Sequence, residues 1–182
     1  MSTKYSFRME SQDRRRLLPE KIVIVQQPTE TRAHVILKFL AYVLFYRERL
    51  QIDARLHQDS IPFTPDVVQL DYEMRPKLWV ECGECGVHKL NKLAVKVPDA
   101  EIWIVRGSFA EAEDLYHAMV KEELRRDRYH LLGLDATLFD ELCERLSSRN
   151  TLLWVSGDFE PPEMQFDFNG LWFDATFCLL HF

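Results

Sequence analysis

The sequence predicts an α/β domain with a mixed β-sheet flanked by helices, and three observations predict it. Runs such as "KIVIVQ" (21–26) and "EIWIV" (101–105) have the length and β-branched or aromatic composition of buried strands. One segment, "VILKFLAYVLFY" (35–46), is too long for a typical strand and is apolar over more than half of a helical circumference. A helix-length stretch separates "KLWVEC" (77–82) from "EIWIV", as in a crossover between parallel strands. Residues 1–182 are expected to form one domain, since no repeat, low-complexity tract or Gly/Ser linker interrupts them and 47% hydrophobic content is ample for a core.

"KYSFRM" (4–9) alternates loosely and pairs in type with "KIVIVQ", which gives out at Pro28. Thr29 is the expected N-cap of the long helix. Glu30 then falls in the first turn, where a negative charge suits the helix dipole, and shares a helical face with His34 and Lys38. "DVVQL" (66–70) and "KLWVEC" read as strands joined by the polar "DYEMRP". Gly83 and Gly86 let the chain turn into a helix with Leu90, Leu93 and Val97 on its apolar side and Lys89, Lys92 and Lys96 on the other, and Pro98 ends it. "SFAE" (108–111) matches a capping box opening a helix through Leu124, and a further helix runs from about Thr137 to Leu146. "TLLWVS" (151–156) and "MQFDFNGLWFDATFCLLHF" (164–182) are strands, with Asn169-Gly170 as a type I′ turn. Their alternating aromatics, Trp154, Phe166, Phe168, Trp172, Phe173 and Phe177, suit the core and rim of a sheet better than a base-stacking platform.

A net charge of −6 argues against a protein that coats nucleic acid by neutralising many phosphates, so contact with nucleic acid would be local. The clusters Arg14–Arg16, Lys89/Lys92/Lys96 and Arg125/Arg126/Arg128 read as solvated faces. No signal peptide and no run of roughly 18 apolar residues is visible, and the expectation is a cytoplasmic protein without a membrane partner. The four cysteines are expected as reduced thiols. Cys82, Cys85 and His88 have the spacing of three zinc ligands, but no close fourth ligand follows, and a redox Cys-x-x-Cys opens a helix whereas this one follows a strand.

"PTETRAHVILKFLAYVLFYRERLQI" (28–52), followed by "PD" (65–66), "KLWVECG" (77–83) and "HKLNK" (88–92), resembles the YaeQ family, a bacterial family whose fold belongs to the PD-(D/E)XK nuclease-like superfamily. The similarity runs from about Tyr5 to the C-terminal strands and is strongest at 28–52 and 78–92. It implies a restriction-endonuclease-like PD-(D/E)XK core of order α-β-β-β-α-β with extra C-terminal strands. It also implies a site with Glu30 at the first helix, Asp66 as the acidic residue of the Pro-Asp motif and Glu81 as the strand carboxylate. The pattern's lysine, two residues after that glutamate, is replaced by Gly83, and Lys92, with Lys89 second, is the expected substitute from the next helix.

On this basis Asp66, Glu81 and a backbone carbonyl near Cys82 are the expected ligands of Mg²⁺, with Mn²⁺ as its substitute, because Mg²⁺ takes hard oxygen ligands. Glu30 would position a water or complete the shell. The expected activity is metal-dependent cleavage of a phosphodiester in nucleic acid. The alternative is a non-catalytic module that keeps the fold and binds nucleic acid or a protein partner. Read without the resemblance, Asp66 is a turn residue, Glu81 faces outward from a strand and the lysines are solvated.

Overall fold

A computed structural model describes residues 2–182. β1 (Lys4–Ser11) and β2 (Lys21–Val25) pair antiparallel, and β1 buries Tyr5, Phe7 and Met9 on one face by strand alternation. Next comes α1 (Arg32–Leu44), then β3 (Leu50–Ile52), β4 (Val67–Leu70), β5 (Pro76–Cys82), α2 (Val87–Lys96) and β6 (Glu101–Arg106). α3 (Phe109–Lys121), β7 (Tyr129–Gly133) and α4 (Ala136–Arg145) follow. The chain closes with β8 (Arg149–Phe159), β9 (Pro162–Phe168), β10 (Leu171–Thr176) and β11 (Cys178–His181).

The strands form two sheets, not the single sheet expected. One has the order β10-β9-β8-β1-β2 and the other β11-β7-β6-β5-β4-β3. The parallel pairing of β1 with β8 decides this, because it joins Ser6 to Arg149 across most of the chain, and no local pattern reports such a partner. The C-terminal strands divide accordingly: β8, β9 and β10 extend the N-terminal sheet, while β11 crosses to the far edge of the other. Asn169 and Gly170 both have positive φ, 51° and 82°, between paired Phe168 and Leu171, as a two-residue type I′ turn requires.

β3 and β7 were not foreseen, and β11 was read as a continuation of the strand that holds β10. β3 is only three residues long, and β7, "YHLLG", follows the charged "RRDR", ends on Gly133 and lacks the β-branched residues that marked β2 and β4. β7 is nonetheless central, lying between β6 and β11.

α1 lies between the sheets. Val35 to Leu44 are all buried, in one cluster with Phe7, Trp154 and Phe166 of one sheet and Leu78, Val80 and Val105 of the other. α2 and α3 cover the opposite face of the second sheet, where Leu90, Leu93 and Met119 pack on Trp79, Ile102 and Ile104. Both helices lie there because β5-α2-β6 and β6-α3-β7 are successive parallel crossovers stepping the same way across the sheet.

Two arginines expected on solvated faces, Arg16 and Arg128, secure helix ends instead. Arg16 donates to the Leu44 carbonyl at the end of α1 and stacks over Trp154, and Arg128 donates to the carbonyls of Ala94 and Val97 at the end of α2. No helix among the described residues is long and apolar enough to cross a membrane.

Candidate functional site

At the C-terminal ends of parallel β5 and β6 the chain leaves a cleft of about 600 Å³. The turn into α1, the turn into β4 and the end of β5 with the first turn of α2 feed it, and Arg106, Gly107 and Glu111 after β6 and Phe139 of α4 complete its wall.

The N-cap of α1 is Thr31, whose hydroxyl accepts from the His34 N–H, so Glu30 precedes the helix and lies outside its first turn, contrary to expectation. Glu30 still meets the helix through its side chain. Residues 30, 34 and 38 are spaced by four and so share a face. Lys38, fully buried, donates to both Glu30 oxygens at 2.8 and 2.9 Å and to Asp53 Oδ2 at 2.8 Å. A buried ammonium needs such partners. Burial pushes the Lys38 pKa down, and the bonds to Asp53 and Glu30 outweigh it, so the net direction is up. Burial also raises the Asp53 carboxyl, against the pull of Lys38.

His34 bridges from α1 to the strand entrance. Its Nε2 is 2.9 Å from Asp66 Oδ1 and 3.6 Å from Glu30 Oε1. The other Asp66 oxygen accepts from the Cys82 backbone N–H at 2.7 Å, and the Asp66 carbonyl accepts from the Asp53 N–H. Asp66 therefore ties α1, the end of β3 and the end of β5 together. Burial lowers the His34 pKa, but its bond to Asp66 and the charges of Asp66 and Glu30 outweigh that, and it stands above its ordinary value.

Glu81 faces the other way across the sheet. It shares a strand face with Trp79, whose Nε1 donates to Glu81 Oε1 at 2.8 Å. Lys89, in the first turn of α2, donates to Oε2 at 2.9 Å. Burial raises the Glu81 pKa, opposed by the Lys89 charge and the Trp79 bond. Lys92, expected as the primary lysine, is exposed and does not line the cleft. Its α-carbon is about 4.5 Å farther along the helix axis, away from the sheet end. Lys89, expected second, makes the contact.

Gly83 has φ +78°, a conformation in which a lysine side chain would be strained. The backbone there thus disfavours the pattern's lysine, and its carbonyl accepts from Arg106 Nη1 at 3.1 Å.

The expected metal ligands separate in space. Glu30, His34 and Asp66 each offer a ligand atom within 4.8 Å of the other two, a group that omits Glu81. Cys82 contributes its N–H to Asp66, and its side chain is buried in the core. Burial holds the Cys82 thiol well above its usual range and pushes Cys85 up to about 12, and His88 is exposed, so this trio is arranged neither as a redox pair nor as a metal cluster.

A family model described as "YaeQ protein" matches residues 1–156. The chain belongs to the YaeQ family. Two solved structures share its fold: the YaeQ protein from Xanthomonas axonopodis pv. citri, 19% identical with a TM-score of 0.75 over 99% of this chain and 97% of that one, and the YaeQ protein from Pseudomonas syringae, 18% identical with a TM-score of 0.76 over 100% and 97%. Comparison with curated proteins returns no match.

In this YaeQ-family chain, sequence reasoning assigned no role to His34, Lys38, Asp53 or Arg106. The shared helical face of Glu30, His34 and Lys38 was the available signal for the first two. Asp53 and Arg106 had none, since both reach the site through β3 and β6, far from the acidic motif in sequence.

Proposed function

We propose that the cleft is a divalent-metal-dependent phosphodiesterase site acting on nucleic acid. The observation that carries this is the convergence of Glu30, Asp66 and Glu81, from three separate segments, on one cleft that also holds Lys89 and Arg106. The order of α1, β3, β4, β5, α2 and β6 is that of the PD-(D/E)XK nuclease-like core, which supports the assignment to that superfamily.

Glu30, His34 and Asp66 would hold the ion, and two carboxylates with one imidazole form a donor set that suits Mn²⁺ better than Mg²⁺, which takes oxygen ligands. Bound there, it supplies Lewis-acid polarisation of a phosphodiester and acidifies a water. Lys38 holds Glu30 in place from beneath. Lys89, kept protonated by Glu81, places a cation where charge develops on the phosphate. Arg106 lines the cleft as a second cation, held there by its bond from Nη1 to the Gly83 carbonyl and by Glu111, whose Oε2 is 3.8 Å from its Nε. Five carboxylates line the cleft (Glu30, Asp66, Glu81, Glu84 and Glu111) against two cations, Lys89 and Arg106, so a polyanion needs the metal in order to enter.

A second reading is a binding protein without catalysis. It is favoured by a separate observation: both oxygens of Asp66 and both of Glu81 already have partners at 2.7–2.9 Å. Purified protein tested on single-stranded and duplex DNA and RNA with Mg²⁺ or Mn²⁺ separates the two. The enzyme cleaves one of them and loses cleavage in Asp66→Ala and Lys89→Ala. Absence of cleavage above the Asp66→Ala background on every substrate leaves the binding protein.

A further inference from the structure

His130 and His181 lie outside the cleft, on the strand pair β7 and β11. They are direct cross-strand partners, so their side chains share a face with Cβ atoms about 4.5–5.5 Å apart. The pairing continues past them, as the Phe182 N–H donates to the Tyr129 carbonyl. The two Nδ1 atoms are 3.2 Å apart. Two imidazole nitrogens on one tetrahedral zinc ion, at about 2.0–2.1 Å each, stand about 3.3–3.4 Å from one another. The rings are already at ligand spacing.

Both rings are also oriented by neighbours. Asp127 Oδ1 is 3.2 Å from His181 Nε2, which keeps that ring's proton on Nε2 and leaves the Nδ1 lone pair directed at His130. Trp103 stacks on His130 with centroids 4.6 Å apart and planes within 20°. The Trp103 Nε1 donates to Glu101, placing a second carboxylate near the pair. Burial and the neighbouring His181 lower the His130 pKa, against the opposing charge of Glu101.

We propose that His130 Nδ1 and His181 Nδ1 form a surface site for Zn²⁺ or a similar borderline divalent ion, with Asp127 as the orienting carboxylate. Imidazole suits these ions and not Mg²⁺. Without the ion, His130 Nδ1–H donates to His181 Nδ1. On binding, the His130 proton moves to its own Nε2, and water fills the remaining positions of the ion.

Calorimetric titration of the full chain with Zn²⁺ tests this, comparing wild type with His181→Ala, Asp127→Ala and the cleft variant Asp66→Ala. His181 and Asp127 have side chains 56% and 88% exposed, so both variants should fold. His181→Ala should lose one zinc equivalent that Asp66→Ala keeps, and Asp127→Ala should bind that ion roughly 10–100-fold more weakly. Mg²⁺ should not compete for it. Cu²⁺ should quench Trp103 fluorescence through His130 in wild type and not in His181→Ala. Identical zinc stoichiometry and affinity in wild type and His181→Ala, or no zinc equivalent beyond the one lost in Asp66→Ala, would overturn the site.

Discussion

Two carboxylate–lysine pairs stand on opposite faces of the sheet that carries the cleft, Glu30–Lys38 on the α1 side and Glu81–Lys89 on the α2 side. Their distances are nearly the same, 2.8 and 2.9 Å, but their surroundings differ. Lys38 is fully enclosed between two sheets and is shared by Glu30 and Asp53, whereas the Lys89 side chain is one-third exposed, over the ring of Phe63 at 5.5 Å. An ammonium with no solvent cannot leave its carboxylates without a large cost. One at the mouth of a cleft can exchange a carboxylate for a phosphate. Equal geometry thus accompanies two different settings, an enclosed anchor at Lys38 and, at Lys89, a partly exposed cation that the proposed function would set against a phosphate, and burial separates them.

The sharpest way to break this comparison is Lys38→Met, which leaves the part-buried Glu30 and Asp53 without their shared counter-charge. It should cost about 3–5 kcal/mol in urea unfolding. A loss below about 1 kcal/mol would mean that Lys38 is no anchor. Mn²⁺ comes next. At a concentration of about 100 times its dissociation constant it should stabilise the wild type by about 2.7 kcal/mol. Asp66→Ala should abolish that gain, and Glu81→Ala should keep most of it, because Glu81 lies outside the ligand group. A melting series with both variants would show the reverse pattern if Glu81 were the ligand.

Lys89→Ala should cost about 1–3 kcal/mol by leaving one buried Glu81 oxygen unpaired. It should also move the Glu81 carboxyl still farther up, since the Lys89 charge now holds it down, and carboxyl NMR titration reads that direction. Lys92→Ala should change stability by less than about 0.5 kcal/mol and leave any cleavage intact. Equal effects of the two lysines would mean that contact with Glu81 does not set Lys89 apart from Lys92.

The smallest effect is expected at His34. Its folded pKa is raised above the ordinary 6.5. Its ion pair with Asp66 therefore contributes fully below pH 6.5 and is lost as the pH rises through the higher folded value. Stability of the metal-free wild type should fall across that window relative to His34→Gln, and parallel profiles from unfolding at several pH values would remove the pair.

Much of this was legible in the sequence because it is written in short periods. Loose alternation marked β1, alternating aromatics marked β9 and β10, and short apolar runs marked β5 and β6. A four-residue spacing put Glu30, His34 and Lys38 on one face, and Asn-Gly marked a turn with two positive φ angles. The carboxylates Glu30, Asp66 and Glu81 were named from the family resemblance, and all three line the cleft. Only the tertiary structure decided the rest. The division into two sheets depends on β1 meeting β8, and the central place of β7 on two long-range pairings. The bond from His34 to Asp66 spans 32 residues, and the choice of Lys89 over Lys92 rests on how α2 leaves the end of β5. A period of two or of 3.6 residues tells which side of an element is apolar, but not which distant element that side will meet, and here every contact that turns three carboxylates into a cleft is of the second kind.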